Sequence, residues 1–445
     1  MPSDKRVRGA RQTRSVDVTD RVVYAHLLAC ETTRRADAGA GEPCSPGEIV
    51  VVTGKHVAVL GGCGRVGLPL ALTLAARGSA VTVVDVDAAA VARTNRGEMG
   101  FLDAGAAELL RLHAGKSLSA TTSPEALTAA DTVICVVGTP LDEHHNPQVG
   151  KLLSLLEDLR PHLRPGQLFV LRSTVYPGTT ELVARWFDAH LPGVDVACCP
   201  ERVAQGHAIE EIERLPQLVA GAAPRALERA RELFSRVAAQ VITLSPLEAE
   251  LGKLLCNSWR YVSFAVANQF YALCAAAGVD YARVREAIMR DYPRLEGLPG
   301  AGFAAGPCLF KDTLQLTAFY NDDFSLGQAA TAVNEGFPRV LLAQLRPLGL
   351  RDKVVGLLGM TFKPDNDDRR ESLAFKTRKL LALECREVLC TDEYLTDPWL
   401  VPLERVLAEA DVLVVTTPHA RYRSLAPRQP VLDPWNALGR GSLLR

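Results

Sequence analysis

The sequence predicts an α/β protein with two Rossmann-like, doubly wound domains joined by a long central helix. An apolar strand, a glycine turn, an apolar helix and a second strand follow one another from Lys55 to Asp87. Further apolar strands alternate with helical stretches beyond them, and the alternation resumes towards the C-terminus after a long, mostly apolar helical stretch. This alternation is typical of parallel sheets that are covered by helices on both faces.

Composition narrows the functional classes. The 445 residues include 50 Lys and Arg and 51 Asp and Glu, a net charge of -1, so we expect neither nucleic acid nor a membrane as a partner. The eleven cysteines are scattered, without a CxxC pair or a Cys/His zinc spacing, so we expect no metal site. A reduced, cytoplasmic protein fits this cysteine usage best.

The first glycine turn carries the strongest local signal. Residues 62–67 read G-x-G-x-x-G between a strand and a helix, and Asp85 ends the next strand. The turn includes Gly62, Gly64 and Gly67, whose backbone admits a pyrophosphate at the helix N-terminus, with Arg65 and Val66 between them. Asp85 would bond the ribose hydroxyls and repel a 2′-phosphate, which favours NAD over NADP. Thr139 and Pro140, after a later strand, are expected on the nicotinamide side.

A second signal is the segment GPCLFKD at residues 306–312, which places a cysteine, a lysine and an aspartate in one turn. Beside an NAD site, a thiolate can add to an aldehyde and give a thiohemiacetal, whose oxidation leaves a thioester that water releases as a carboxylate. A lysine ammonium could stabilise the oxyanions on this path. Cys308 therefore points to the oxidation of an alcohol to an acid.

Seven segments in order resemble the UDP-glucose/GDP-mannose dehydrogenase family: GGCGRVGLPLA, GTP, RSTVYPGT, CPERVAQG, EAELGKLLCN, GFAAGPCLFKD and FKPDNDDRRES. The resemblance runs from about Lys55 into the C-terminal region. It implies two Rossmann domains around a dimerising helix, hence a homodimer. It also implies that two NAD molecules serve to oxidise a nucleotide-sugar C6 alcohol to the uronic acid.

The resemblance also implies roles for individual residues. The catalytic residues that it implies are Cys308 (nucleophile), Lys253 and Asn257 (one helical face), Asp312 and Thr174 (water network) and Glu201 (base for thioester hydrolysis). Arg370 matches a cofactor-contacting arginine. The substrate contacts that we expect are Phe303, Gly306, Lys363 and, across a subunit boundary, Arg294.

Some positions depart from the family pattern. Ala304 and Ala305 replace two glycines before the cysteine, Gln205 replaces a common glutamate, and Arg65 replaces a common aromatic residue. The segment LDPWN (residues 432–436) stands where many members have an aspartate-glycine-arginine segment. These departures bear on the sugar and the hydrolytic base.

The substrate that the sequence favours is UDP-glucose, because Pro307 precedes the cysteine and Lys311-Asp312 follow it. The same chemistry on dTDP-glucose or on a UDP-N-acetylhexosamine is the alternative. Two further alternatives are a silent NAD-binding regulatory protein and a two-electron hydroxyacid-type dehydrogenase, neither of which needs a cysteine loop.

The predicted domains follow from these motifs. We expect a disordered extension at residues 1–53, an NAD-binding domain at 54–245, a helical dimerisation domain with the cysteine loop at 246–345, and a nucleotide-sugar domain at 346–445.

Overall fold

The computed structural model describes residues 55–139, 141–142 and 147–445. The predicted extension at residues 1–53 and the predicted nicotinamide contact Pro140 lie outside these ranges. The predicted fold class is confirmed, because two parallel-rich sheets flank a group of helices that includes one of 31 residues.

The first sheet has eight strands in the order β3-β2-β1-β4-β5-β6-β7-β8. All neighbours are parallel except β6 and β7, which pair antiparallel. The order reverses between β1 and β4, the kind of switch point at which α/β proteins bind ligands. The strands are β1 His56–Leu60, β2 Ala80–Val84, β3 Leu118–Thr121, β4 Thr132–Cys135, β5 Leu168–Leu171, β6 Asp195–Cys198, β7 Gln217–Gly221 and β8 Val241–Thr243.

Seven helices belong to this part of the described chain. They are α1 Gly67–Ala76, α2 Ala88–Asn95, α3 Ala106–His113, α4 Val149–Leu159, α5 Thr179–His190, α6 Ala208–Arg214 and α7 Pro224–Phe234. Nearly the whole of α1 is buried, as the apolar run after the glycine turn predicts.

The central helix α8 runs from Pro246 to Ala276. Its start has a physical cause: Ser245 and Glu248 form a reciprocal capping box, and Pro246 occupies the first turn, where no backbone N–H is needed. Around it lie α9 Tyr281–Met289, α10 Leu309–Phe319 and α11 Ser325–Leu345. The predicted domain limits at residues 246 and 346 stay predictions.

The second sheet has four parallel strands in the order β10-β9-β11-β12. They are β9 Val354–Leu358, β10 Glu387–Thr391, β11 Val412–Val415 and β12 Val431–Leu432, with helices α12 Leu373–Leu381 and α13 Leu403–Glu409. Its core is continuous with side chains of α8 and α11, such as Tyr271 and Phe337. The cysteine loop, residues 300–308, lies between these helices and the second sheet.

Among the helices of the described residues, none combines the length and the apolar character needed to cross a bilayer.

Candidate active site

The glycine turn after β1 has the geometry that a dinucleotide site requires. A Cβ atom at Gly62 would come within 2.7 Å of the Val59 carbonyl oxygen, and one at Gly67 would meet the Cα atom of Gly62. At Gly64 the nearest atom would be 3.9 Å away. Two glycines thus close the turn and pack the helix, while the third leaves the backbone open to a ligand.

The carboxylate of Asp85 is hydrogen-bonded to the backbone of this turn and of the segment after β2. Its Oδ2 accepts a hydrogen bond from the Cys63 N–H at 2.9 Å, and its Oδ1 accepts one from the Asp87 N–H at 3.1 Å. The carboxylate is therefore fixed beside the site where the sequence places a ribose.

The two residues inside the motif, Arg65 and Val66, have different surroundings. Val66 precedes the first residue of α1. Arg65 reaches the second sheet's domain, with Nη1 2.6 Å from Asp367 Oδ1 and Nε 3.6 Å from Asp368 Oδ2. Its guanidinium also lies over the Phe101 ring, 5.1 Å from the centroid. The position that is often aromatic in the family here forms a contact between domains.

The structure brings Cys308 and three of its predicted partners together at the start of α10. Cys308 is the cap residue of the helix and is exposed. One turn later the buried Asp312 accepts a hydrogen bond at Oδ2 from Asn257 Nδ2, at 2.6 Å. Lys253 lies one turn before Asn257 on α8 and is 8% exposed. Two packed helices therefore hold a thiol, an acid, an amide and an ammonium group in one place.

The charges around the sulfur act in opposite directions. Although Cys308 as a whole residue is exposed, protein atoms pack around its thiol. The desolvation that this packing causes and the negative charge of Asp312 raise the pKa of the thiol above its usual value, whereas Lys253, Lys311 and Arg370 act to lower it. Because the net effect raises the pKa, the thiol is mostly protonated at neutral pH. The three cations partly offset this effect and favour the nucleophilic thiolate.

Lys311 and Thr139 join the cysteine helix to the first domain. Lys311 Nζ lies 3.2 Å from Asp312 Oδ1 and 3.3 Å from Thr139 Oγ1. The Thr139 hydroxyl donates to the Thr174 carbonyl oxygen. Thr174 and Thr139, predicted in separate roles, thus belong to one chain of two hydrogen bonds and an ion pair that ends at Asp312.

The cysteine loop is fitted closely to the second domain. Gly306 has a φ of +101°, and a Cβ atom there would come within 2.6 Å of the Phe362 ring. Its N–H donates to the Glu371 carbonyl oxygen at 3.3 Å. Phe303 is 6% exposed and packs edge to face on Phe337, with 6.1 Å between ring centroids, so its ring already has a protein partner.

Trp435 explains what the segment LDPWN does in the fold. Its ring lies so close to Gly302 that a side chain there would clash with it, and its Nε1 donates to the Thr416 carbonyl oxygen at 3.3 Å. Where many members have an arginine, this chain therefore packs a tryptophan against the cysteine loop.

Lys363 meets the first domain. Its Nζ donates to the Gln205 carbonyl oxygen at 2.7 Å, and its pKa is lowered mainly by burial. We call this contact of residues 363–366 with residues 205–206 the seam at Lys363. Two polar atoms there, Gln205 Oε1 and Asn366 Nδ2, are buried without a hydrogen bond to the described residues. A Cβ atom at Gly206 would be 3.6 Å from Asn366 Nδ2, so the Asn366 amide lies against the backbone next to Gln205.

Glu201 is held by its own set of contacts. Its carboxylate is paired with the buried Arg172 and also accepts hydrogen bonds from the N–H groups of Arg202 and Val203 at 2.6 and 2.7 Å. Arg172 in turn donates to the Cys199 carbonyl oxygen at 3.0 Å. Both oxygens of Glu201 are engaged by its own loop and by Arg172.

The remaining predicted contacts are at the surface. Arg294 is exposed, with its guanidinium 5.5 Å from the centroid of the Tyr292 ring. Arg370 is bonded to Asp368 through two nitrogens, at 2.9 and 2.6 Å. Sequence reasoning gave no role to Arg172 or Asp368, although both stand inside segments that carried the resemblance. It used Lys311 only as a mark of the substrate, and the structure places its ammonium beside Asp312 and Thr139.

One group of possible metal ligands exists in the described residues: Asp365, Glu393 and His419. Both ring nitrogens of His419 are in use, because Nδ1 accepts from the Asp365 N–H at 2.9 Å and Nε2 lies 3.0 Å from Asp392 Oδ2. These contacts account for the histidine without an ion.

An open dinucleotide turn in one Rossmann domain and a charged cysteine loop beside a second such domain are the arrangement expected of a dinucleotide-dependent dehydrogenase. The chain belongs to the UDP-glucose/GDP-mannose dehydrogenase family. It matches the family's NAD binding domain at residues 55–238, its central domain at 247–336 and its UDP binding domain at 356–440. It is therefore an NAD-dependent nucleotide-sugar dehydrogenase, as predicted.

Similar proteins differ in the sugar that they are named for. The chain is 30% identical to the UDP-N-acetyl-D-mannosamine dehydrogenase of Pyrococcus horikoshii, over 83% of this chain and 91% of that one. It is 29% identical to the NDP-N-acetyl-D-galactosaminuronic acid dehydrogenase of Ralstonia nicotianae, over 82% and 91%. A solved UDP-glucose dehydrogenase from Pyrobaculum islandicum superposes with a TM-score of 0.77 at 29% identity, covering 87% of this chain and 96% of that one.

Proposed function

We propose that this protein oxidises the C6 alcohol of a nucleotide sugar to the carboxylate in two NAD-dependent steps, through a thioester on Cys308. The observation that supports this most directly is the cluster of Cys308 with Lys253, Asn257 and Asp312 on two packed helices. A dehydrogenase that stops at the aldehyde has no need of a thiol with three cations around it.

In this proposal NAD supplies the hydride acceptor for both oxidations. Its pyrophosphate would lie against Gly64 at the N-terminus of α1, and its adenosine ribose would be bonded by Asp85. The open space at Gly64 and the fixed carboxylate of Asp85 fit such a ligand.

The chain's own residues carry the chemistry of the sugar carbon. The Cys308 thiolate adds to the aldehyde carbon and forms a C–S bond, which gives a thiohemiacetal oxyanion. Lys253, whose ammonium makes no hydrogen bond or ion pair with the described residues, would stabilise that oxyanion. Oxidation leaves a thioester, and water then breaks the C–S bond and returns the thiol.

Asp312 is proposed to orient the water and to move protons. Its Oδ2 is fixed by Asn257, while Oδ1 faces the Lys311 ammonium at 3.2 Å. Thr139 and Thr174 extend this network towards the first domain. Glu201 stays a predicted base for hydrolysis, and it would have to act from within its pair with Arg172.

We propose a UDP-linked 2-acetamido hexose as the substrate, in preference to the UDP-glucose favoured by the cysteine segment. The similar proteins named for UDP-N-acetyl-D-mannosamine and NDP-N-acetyl-D-galactosaminuronic acid support this choice. The seam at Lys363 adds a physical reason. An acetamido group carries one N–H donor and one carbonyl acceptor, and the seam offers an unpartnered acceptor, Gln205 Oε1, and an unpartnered donor, Asn366 Nδ2.

The test is the rate and stoichiometry of NADH formation with a panel of UDP-N-acetylhexosamines, UDP-glucose, dTDP-glucose and GDP-mannose. We expect two NADH per sugar and the highest kcat/KM with a UDP-N-acetylhexosamine. A higher kcat/KM with UDP-glucose would contradict the sugar, and one NADH per sugar with free aldehyde would contradict the thioester route.

We further propose that the protein is a homodimer through α8. Apolar side chains recur on one face of this helix and are exposed: Leu255 56%, Trp259 72%, Val266 40%, Phe270 40% and Leu273 59%. A surface of this kind is typical of an interface. Sedimentation of the wild type should give a dimer, and Trp259→Asp should give a monomer; a wild-type monomer at micromolar concentration would contradict the proposal.

A further inference from the structure

Asp368 receives the guanidinium groups of two arginines from different parts of the chain. Arg370 donates to it through Nε at 2.9 Å and Nη2 at 2.6 Å, and Arg65 of the glycine turn approaches with Nε 3.6 Å from Oδ2. The Asp368 side chain is only 3% exposed. Burial disfavours its ionised form, but the hydrogen bonds from Arg370 and the charge of Arg65 outweigh this and lower its pKa.

Arg370 is close to the cysteine loop. The next residue, Glu371, accepts the Gly306 N–H at 3.3 Å, two residues before Cys308. Arg370 is one of four groups whose charges act on the pKa of the thiol, the others being Asp312, Lys253 and Lys311. Of the three cations, Arg370 alone belongs to the second sheet's domain.

A long side chain such as that of Arg370, which is 57% exposed, does not keep one position by itself, because fixing it costs rotamer entropy. Two parallel hydrogen bonds to one carboxylate offset that cost and set the plane of the guanidinium. Asp368 is in turn held by its backbone, which donates to Asn366 Oδ1 at 2.8 Å and accepts from the Phe362 N–H at 3.0 Å.

We propose that Asp368 is a positioning residue for the reaction: it holds Arg370 with its positive charge towards the Cys308 sulfur and ties that arginine to the cofactor turn through Arg65. This inference rests on the proposed role of Cys308 as nucleophile. The negative charge of Asp368 by itself would raise the pKa of the Cys308 thiol. By holding Arg370 in place, Asp368 has the opposite effect and makes the thiolate easier to form.

The experiment uses this difference in sign. Alkylation of the full-length protein by iodoacetamide is followed from pH 6 to 10, without cofactor or sugar. Cys308 is quantified in the tryptic peptide of residues 295–311, in which it is the only cysteine. We expect Asp368→Asn to leave Arg370 unfixed, to move the alkylation midpoint to higher pH and to slow alkylation at pH 7.5 about threefold.

Matched variants make the result decisive. Asp367→Asn removes an adjacent acid whose contacts are Arg65 and the Leu102 N–H, and it should leave the midpoint unchanged. Arg370→Met should reproduce the shift of Asp368→Asn, and the double variant should shift no further than Arg370→Met alone.

A midpoint that falls or does not move in Asp368→Asn, with the variant folded by circular dichroism, would overturn the proposal. If Asp368→Asn does not fold, Arg370→Met decides, because an unchanged midpoint there removes the effect that Asp368 is said to produce. The titration needs no turnover, so failure of the proposed function would show instead as absent NADH formation in a wild type whose thiol still titrates.

Discussion

Asn257 of the central helix and Asp312 of the cysteine helix meet through a 2.6 Å hydrogen bond from the amide Nδ2 to the carboxylate Oδ2. This bond fixes one oxygen of a fully buried acid and leaves the other beside Lys311. The acid can therefore raise the pKa of the nearby thiol and still serve a proton-transfer step.

Asp312→Asn separates these two effects. Because Asp312 raises the pKa of Cys308, its loss should speed alkylation of that cysteine at pH 7.5. Turnover should nevertheless fall by about 100-fold or more, since an amide cannot move protons in the proposed hydrolysis. Both rates are measured on one preparation; a parallel rise or a parallel fall of the two would contradict the assignment.

Cys308→Ser tests the covalent step. A serine hydroxyl is a far weaker nucleophile than a thiolate, so steady-state NADH formation should drop by roughly 1,000-fold or more. Cys256→Ser, at an exposed cysteine of α8, is the matched control and should retain activity. Turnover of Cys308→Ser within tenfold of the wild type would exclude a thioester route.

Asp85→Asn tests the choice of cofactor. Removing the negative charge beside the ribose should raise the kcat/KM ratio of NADP over NAD by about tenfold or more, because a like-charge contact with the 2′-phosphate is lost. Asp87→Asn is the control, since Asp87 caps α2 two residues away and an asparagine can keep that cap. An unchanged ratio in Asp85→Asn would place the ribose elsewhere.

Gly306→Ala tests the fit of the cysteine loop. The residue has φ +101° and faces the Phe362 ring, so alanine should lower the free energy of unfolding by about 2–5 kcal/mol. Gly300→Ala, in the same loop with open space around it, should change it by less than about 1 kcal/mol. Urea denaturation of both variants measures the difference, and equal effects would count against the close contact.

Glu201→Gln tests whether the buried pair with Arg172 stabilises the fold. Leaving the Arg172 charge without its carboxylate should cost about 3–5 kcal/mol, whereas Glu213→Gln, which breaks an exposed pair with Arg77, should cost less than about 1 kcal/mol. Mass spectrometry of the quenched reaction adds a second measurement: an acyl-enzyme that accumulates in Glu201→Gln supports a hydrolytic role, and its absence argues against one.

The sequence predicts best what is local. The glycine turn and Asp85 follow from the order of strand, turn, helix and strand. Lys253 and Asn257 were singled out by the resemblance and share one helical face because they lie one turn apart, as Cys308 and Asp312 do at the start of the cysteine helix. These features need only the periodicity of regular structure to be placed on one face.

Contacts between distant segments could not be predicted in this way. Arg65 pairs with Asp367, which lies 302 residues further along the chain. The sequence around either residue gives no sign that the two side chains meet. Phe303 stays a predicted substrate contact, and its packing against Phe337 could not be predicted, because burial of an aromatic side chain depends on the helices that pack over it. Arg172 was missed for the same reason: only the folded sheet shows that its charge is buried beside Glu201.

The contacts of residues 363–368 with the first domain have a consequence for the order of events. Arg65, Leu102 and Gln205 all meet this one segment, so separation of the two domains must release all three together. In the proposed reaction the spent dinucleotide has to be exchanged between the first and second oxidations. A covalent bond to Cys308 would keep the half-oxidised sugar tethered during that exchange, so the reactive aldehyde would not diffuse away.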